Sequence, residues 1–307
     1  MRELFEQRLR RWGRRICFYL PGMFWLDNKR GLYPAISITG YECKLGCEHC
    51  KGALLKDMLC ARDSNELIKT GERLYREGIK GILLSGGCNE DGEIPFEKVI
   101  EGIAYLKKNT SLYISIHSGM RLKREMAKEL KEAGVNQALI DVIGDDRTMR
   151  EIYKLDGVET IKDSIEAIIE AGLEFVPHIV IGIDRGKIRG EYRAVDLIRR
   201  YNPKLVCLVV LMPDVRMKGV SPPPLEEVLN VLLYTREELP ETEVSLGCAR
   251  PRGEYRYRLE ELAIESGVTR VALWSERAIE KAKRLGLEIE FYYTCCSVDN
   301  TLSVPQP

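Results

Sequence analysis

The sequence has no charge imbalance, no long apolar run and no internal repeat. Lys plus Arg and Asp plus Glu both total 47 among the 307 residues, so the formal net charge is zero. That balance does not favour nucleic acid or an anionic membrane surface as a partner. No apolar stretch reaches the length of a membrane span, and the arginine-rich N-terminus has no apolar signal core. We therefore expect a cytoplasmic protein.

Cysteine, in contrast, is abundant, and the chain has ten. Disulfides are disfavoured in the cytosol, so metal ligation explains this number better than cross-linking does. Cys43, Cys47 and Cys50 are spaced CxxxCxxC just after a segment that predicts a strand over 34–40. Three thiolates on such a loop can hold three corners of a cubane iron–sulfur cluster and leave one iron without a protein ligand. Tetrahedral zinc is the alternative, although His49 is badly placed beside Cys50 to be a fourth zinc ligand.

Strand and helix patterns alternate along most of the chain, as βα units on a parallel sheet do. The predicted strands are 34–40, 80–85, 111–117, 136–143, 175–183, 204–211, 243–247 and 268–273. The predicted helices are 64–77, 95–108, 122–133, 160–171, 190–201, 222–238, 253–266 and 275–285. Eight such units predict an α/β fold, a (β/α)8 TIM-type barrel over 34–286. A helical lead-in over 1–33 precedes it, and a cysteine-bearing tail over 287–307 is expected to pack over the barrel mouth.

In such barrels, chemistry gathers where the strands end. The second predicted strand ends in Ser85, Gly86, Gly87 and Cys88, and the two glycines allow a backbone to approach a ligand closely. A turn closed by two glycines is the alternative.

Polar side chains also end the third and fourth predicted strands. Ser115 and His117 share one face of a strand, because successive side chains alternate between faces. Asp141 lies in an otherwise apolar strand, where a carboxylate is costly unless it has a polar pocket or a partner. These three residues and Asp145 are therefore candidates for ligand binding at the mouth.

A second group of cysteines lies in the C-terminal third of the chain. Cys248 and Arg250 follow the seventh predicted strand, and Cys295 and Cys296 are adjacent in the tail. This placement predicts a second iron–sulfur cluster on the three cysteines, completed by Cys88 or Arg250. Scattered buried thiols are the alternative. Mid-strand Cys207 is expected to be ordinary core.

The CxxxCxxC motif, with an aromatic ring before its last cysteine, resembles the motif of the radical S-adenosylmethionine (SAM) superfamily. The resemblance implies a [4Fe–4S] cluster on Cys43, Cys47 and Cys50, with SAM chelating the remaining iron. It also implies that the His49 ring packs against the adenine of SAM. The Ser85–Gly87 segment is similar to the superfamily's GGE motif, which binds the SAM amino group.

This chain departs from that motif because Cys88 stands where the acid is expected, with Glu90 or Asp91 as candidate substitutes. The resemblance implies further SAM contacts around the mouth. The remaining residues expected there are Ser115, His117, Asp141, Gly182 and Met212.

Within the superfamily, the eight-fold barrel is similar to the biotin synthase branch. The Cys248 loop with the terminal Cys295-Cys296 pair is similar to the two-protein lipoyl synthases of archaea and some bacteria. This implies a 5′-deoxyadenosyl radical and sulfur insertion into a protein-bound octanoyl chain, with an auxiliary cluster as sulfur donor. It also implies a low-potential electron donor such as ferredoxin and a related radical SAM protein as partners. Single-chain lipoyl synthase differs, since it carries a second cysteine triad ahead of the motif, where this chain has only Cys17.

Two other interpretations stay open. An auxiliary cluster that serves redox chemistry or anchors the substrate is expected in a dehydrogenase or a maturase. A non-catalytic metal-binding module is the second.

Overall fold

The computed structural model describes residues 1–22, 24–26, 29–213 and 217–298, so 299–307 of the predicted tail lie outside it. Its strands are β1 (Arg15–Tyr19), β2 (Trp25–Leu26), β3 (Lys29–Arg30), β4 (Ala35–Ser37), β5 (Leu59–Cys60), β6 (Gly81–Ser85), β7 (Tyr113–His117), β8 (Gln137–Asp141), β9 (Glu174–Ile181), β10 (Leu205–Val210), β11 (Glu243–Leu246), β12 (Arg270–Ala272) and β13 (Glu288–Tyr292).

Helices connect most of these strands. They are α1 (Arg2–Trp12), α2 (Ser64–Arg76), α3 (Ile100–Asn109), α4 (Arg124–Glu132), α5 (Asp146–Thr148), α6 (Glu159–Glu170), α7 (Glu191–Arg199), α8 (Leu225–Glu238), α9 (Glu254–Glu265) and α10 (Glu276–Arg284). A π-helical turn, Met149–Tyr153, continues α5. None of the helices in the described ranges is both long enough and apolar enough to cross a membrane.

Eleven strands form one sheet in the order β13-β1-β12-β11-β10-β9-β8-β7-β6-β4-β5, and every pairing in it is parallel. The eight predicted strands are all present, as β4 and β6 to β12, and so are the eight predicted helices. Central strands such as β10 are buried along their whole length, which explains their near-continuous apolar sequence. Within the described residues the sheet has two free edges, β13 and β5, so it curls without closing into an eight-stranded barrel.

Both ends of the chain add strands that the sequence did not predict. β1 comes from the expected lead-in and lies between β12 and β13. β13 comes from the expected tail. The mouth of the curled sheet is the edge formed by the carboxyl ends of the strands. Residues 294–298 turn into the interior of the sheet rather than over this mouth. Gln137 Nε2, at the start of β8, donates to Ser297 O at 2.9 Å. Arg270 Nη1, at the start of β12, donates to Cys296 O and Val298 O at 3.1 and 2.9 Å.

The register of the sheet aligns inward side chains across neighbouring strands. Asp141 of β8 and Cys207 of β10 both pair with His178 of β9. Since paired residues of parallel strands point to the same face, these three side chains form one row on the inner face. The His117 ring lies 6.4 Å from the His178 ring, on the same face.

Candidate active site

The three cysteines of the loop after β4, here called the first thiol group, lie together at the mouth. Cys47 is buried, and Cys43 and Cys50 are half-buried. Burial, and then the neighbouring Cys50, Cys88 and Cys43 thiolates, raise the pKa of Cys47 well above its usual range. Thiols that lie this close together can bind one metal centre, which releases their protons. The arrangement also adds Cys88 as a close neighbour.

Backbone and ionic contacts hold this loop in place. The backbone N–H groups of Lys44 and Leu45 donate to Cys88 O at 2.8 and 3.3 Å. The Glu48 carboxylate accepts two hydrogen bonds from the Arg185 guanidinium, at 2.7 and 2.6 Å. Those hydrogen bonds are the main cause of the lowered pKa of Glu48. Because β4 and β9 are separated by three strands in the sheet, this ion pair joins two distant loops across the mouth.

The glycines after β6 differ in what surrounds them. A Cβ on Gly87 would lie 2.6 Å from the Cα of Cys43 and still closer to the Glu42 carbonyl oxygen. A Cβ on Gly86 would meet only side-chain carbons, the nearest at 3.1 Å. Gly87 N–H also donates to Thr39 Oγ1 at 2.7 Å. Gly87 is therefore the position that lets the β6 loop approach the cysteine loop. Glu90 and Asp91, the candidate substitutes for the missing acid, are exposed in the following turn.

The chain has three histidines, and all of them lie near Asp141. His117 Nε2 is 3.5 Å from Asp141 Oδ1. Burial alone would raise the pKa of Asp141, but the hydrogen bond from His117 and the charges of His117, His178 and His49 lower it overall. The Asp141 side chain keeps 21% of its surface accessible, so it faces an interior space. An ionised carboxylate with imidazole neighbours can bind the hydroxyl or N–H groups of a ligand.

Two buried polar atoms beside the first thiol group have no hydrogen-bond partner. They are His49 Nδ1 and the Tyr153 hydroxyl, and the two rings lie 5.2 Å apart. An unsatisfied buried group costs about 1–3 kcal/mol, so such atoms are expected where a polar ligand completes them. With the three thiols, they fit a cubane cluster together with a nucleoside-like ligand.

Two predicted site residues have structural partners. Ser115 Oγ lies 2.5 Å from the Tyr33 hydroxyl and donates to Gln137 Oε1 at 2.8 Å. It stands two residues before His117, about 6.6 Å deeper along the strand, so it does not reach the mouth as predicted. Asp145 caps α5 by accepting from Thr148 N at 2.8 Å, and it also pairs with Arg193 at 2.7 Å.

Gly182 and Met212 end neighbouring strands. Gly182 has a φ of 79°, which favours glycine, and its N–H donates to the Glu191 carboxylate at 2.7 Å. Leu211 N–H donates to Ile181 O at 2.9 Å, which keeps the two strand ends adjacent. Met212 is 39% exposed. Both residues therefore lie at the mouth, where contacts with SAM were predicted.

A second thiol group lies deeper in the interior and consists of Cys207, Cys248, Cys295 and Cys296. The Cys207 and Cys296 sulfurs are 4.0 Å apart, and Cys295 Sγ lies 2.9 Å from Ser297 Oγ. Burial, and then a thiolate at Cys295, raise the pKa of Cys248 to about 11. The tail thus brings its cysteine pair close to Cys248 inside the curled sheet.

The two predicted additions to this group are located elsewhere. Cys88 neighbours Cys43 and Cys50. Its pKa is raised to about 12, mainly by burial. Arg250 is buried and bonded to Glu260 at 2.6 Å and to the carbonyls of Ala272 and Leu273. Its guanidinium is therefore already engaged by groups of the protein.

No three His, Cys, Asp or Glu side chains within the described ranges are placed to hold a metal ion. Thiolates are ligands both for zinc and for iron–sulfur clusters.

Sequence reasoning missed three residues of this interior: Tyr153, His178 and Cys207. Tyr153 carries no local motif. The positions of His178 and Cys207 in their strands are compatible with the inner face of the sheet. Only the register between strands places His178 beside Asp141 and Cys207 near the tail.

The model of the radical SAM superfamily matches residues 37–188, about half of the chain. This range includes the first thiol group and the strand ends from β4 to β9. The protein therefore belongs to the radical SAM superfamily, whose members bind a [4Fe–4S] cluster and SAM.

A curated probable GTP 3′,8-cyclase from Methanococcus aeolicus is 29% identical over 157 residues, which are 48% of this chain and 50% of that protein. This chain thus spans about half the length of that relative. Among solved structures, HydG, a maturase of the [FeFe]-hydrogenase, superimposes with a TM-score of 0.64 at 14% identity, over 94% of this chain and 68% of HydG. Methylornithine synthase (PylB) gives 0.60 at 14% identity, over 94% of this chain and 88% of PylB. These two similarities show the fold alone.

Proposed function

We propose that this protein is a radical SAM enzyme that holds its substrate inside the curled sheet and inserts sulfur into an unactivated carbon chain. One observation carries the proposal: a single row of side chains on the inner face leads from the mouth to the second thiol group. The row Asp141, His178 and Cys207 runs from the histidines near the mouth to the second thiol group. A substrate in that row would lie between the two.

The mouth supplies the residues for radical generation. When bound, the reduced cluster and SAM supply a 5′-deoxyadenosyl radical that takes a hydrogen atom from a carbon. Cys43, Cys47 and Cys50 would hold the cluster, and the Glu48–Arg185 ion pair would shield the mouth from water. The residues that would hold SAM are His49, Ser85, Gly86, Gly87, His117, Asp141, Gly182 and Met212.

The interior supplies the position for sulfur. An auxiliary iron–sulfur cluster on Cys248, Cys295 and Cys296 would supply a sulfide to the substrate carbon radical left by hydrogen abstraction, and its irons would accept the one electron that formation of the C–S bond releases. A sulfur donor must lie within reach of that carbon, and the tail places its cysteine pair inside the sheet. An octanoyl chain on a carrier protein is the proposed substrate, with ferredoxin as electron donor and a related radical SAM protein as partner. Neither the cyclase relative nor the two structural neighbours is a lipoyl synthase, so this step rests on the cysteines alone.

Radical generation is tested first. Anaerobically reconstituted protein, given SAM and a reductant, should form 5′-deoxyadenosine. Replacing Cys43, Cys47 and Cys50 by alanine should abolish it, whereas Cys60→Ala, at an exposed cysteine, should not. Undiminished SAM cleavage in the triple variant would contradict the assignment.

Sulfur insertion is tested separately with an octanoylated lipoyl-domain peptide, with and without the related radical SAM protein. Mass spectrometry should detect a thiolated peptide. A parallel reaction with GTP tests whether this protein shares the activity for which the cyclase relative is named. SAM cleavage without thiolation would refute sulfur insertion and favour an auxiliary cluster with a redox role, as in a maturase.

A further inference from the structure

Cys207 is a buried thiol in the middle of β10, where the sequence predicts ordinary core. Its sulfur lies 4.0 Å from that of Cys296, a residue 89 positions away in the chain. Both thiols belong to a small apolar cluster inside the sheet, and Cys248 packs against it. Cys207 is therefore a member of the second thiol group by contact.

The other candidates for completing that group have partners of their own. Arg250 is bonded to Glu260, and Cys88 neighbours Cys43. Cys17 lies in the same apolar cluster as Cys207, but its sulfur contacts Glu290 Oε2 at 3.8 Å. Cys207 is left as the thiol that meets the tail.

The surroundings of Cys207 also suit a bound cluster. Ser245 pairs with Cys207 across β10 and β11, and its hydroxyl is buried without a partner. Hydrogen bonds to the sulfurs are among the factors that tune iron–sulfur clusters, and this hydroxyl is free to donate one. Arg270 and Gln137 fix the backbone at Cys296 and just after it by binding three consecutive carbonyls, those of residues 296, 297 and 298.

We propose that Cys207 is the fourth thiolate of the auxiliary cluster, so that Cys207, Cys248, Cys295 and Cys296 form a complete protein ligand set. This inference rests on the proposed auxiliary cluster and deepens it. Four thiolates leave no iron without a protein ligand, unlike the three at the mouth. Such a cluster suits electron transfer or donation of its own sulfide. It does not suit substrate anchoring, because that needs an open iron.

The test uses full-length protein with Cys43, Cys47 and Cys50 replaced by alanine, so that any remaining cluster belongs to the second thiol group. After anaerobic reconstitution, iron and sulfide per chain are measured together with the EPR spectrum of the reduced protein. Adding Cys207→Ala should remove most of the iron and sulfide. Adding Cys17→Ala, which empties a similar volume in the same apolar cluster, should leave both unchanged.

Circular dichroism establishes that each variant is folded. If Cys207→Ala does not fold, Cys207→Ser keeps the side-chain volume and should either lose the cluster or shift its EPR spectrum, since an oxygen replaces a sulfur ligand. Full iron content with an unchanged spectrum in the folded Cys207 variant would overturn this inference alone. A parent variant without iron would overturn the auxiliary cluster, and the inference with it.

Discussion

Replacing Gly87 by alanine should displace the cysteine loop rather than merely block SAM. The new Cβ would lie 2.6 Å from both the Cα and the Cβ of Cys43. Carbon atoms pack at about 3.5–4.0 Å, so the two loops must separate by about 1 Å. Overpacking of this kind costs about 1–3 kcal/mol, and here the obstacle is backbone, which cannot rotate away. We expect Gly87→Ala to lose iron from the first thiol group, and SAM binding with it.

The matched control is Gly86→Ala. Its Cβ would meet Thr39 Cγ2 at 3.1 Å and Ile38 Cγ1 at 3.3 Å, contacts that small side-chain shifts relieve. Iron per chain is measured together with the change that SAM causes in the EPR spectrum, because SAM is expected to bind only the proposed cluster at the mouth. Gly86→Ala should keep the iron of the first thiol group, and Gly87→Ala should lose it. If Gly87→Ala keeps its iron and loses only SAM affinity, Gly87 serves access of SAM, and the loop-contact reasoning is refuted.

Two further predictions concern buried polar groups. Arg250→Met should lower the free energy of unfolding of the apoprotein by about 2 kcal/mol, because it removes the side-chain donor to the buried carbonyls of Gly247 and Ala272, whereas Glu260 keeps its ion pair with Arg256. The control Arg252→Met, at an exposed residue, should change the free energy of unfolding by less than about 0.5 kcal/mol. Urea unfolding measures the free energy for both variants, and equal effects would contradict the structural role of Arg250. Tyr153→Phe should raise the free energy of unfolding without SAM by about 1 kcal/mol, since it removes a buried hydroxyl without a partner. The same variant should bind SAM more weakly in a titration, and unchanged affinity would place the hydroxyl outside the SAM site.

The fold was largely predictable because parallel strands covered on both faces need near-continuous apolar sequence. β10 illustrates this, since all its residues are buried. The first thiol group was predictable for a related reason: its three cysteines lie within eight residues of one loop, so no long-range pairing is needed to bring them together.

The rest of the interior was not predictable from local pattern. β1 has an apolar core, but nothing in its sequence says that it lies between β12 and β13. Ser115 and His117 alternate identically, yet Ser115 is bonded to Tyr33 and Gln137 whereas His117 faces Asp141. The two residues have different partners because they lie at different depths below the mouth. Which side chains meet at a given depth depends on the register between strands. Cys207 is buried, as expected, but its contact with Cys296 was not predictable for the same reason.

The tail illustrates how this dependence shapes the site. Arg270 and Gln137 are buried polar side chains on the inner face, and they need acceptors to offset their desolvation. The backbone carbonyls of 296–298 provide those acceptors, so docking of the tail completes hydrogen bonds that the sheet alone leaves open. β13 pairs only with β1, at an edge of the sheet, and the tail follows it. The position of Cys295 and Cys296 in the second thiol group therefore depends on the pairing of β13 with β1. Metal loading there should depend on complete folding, whereas the loop at the mouth carries its three cysteines in one local segment.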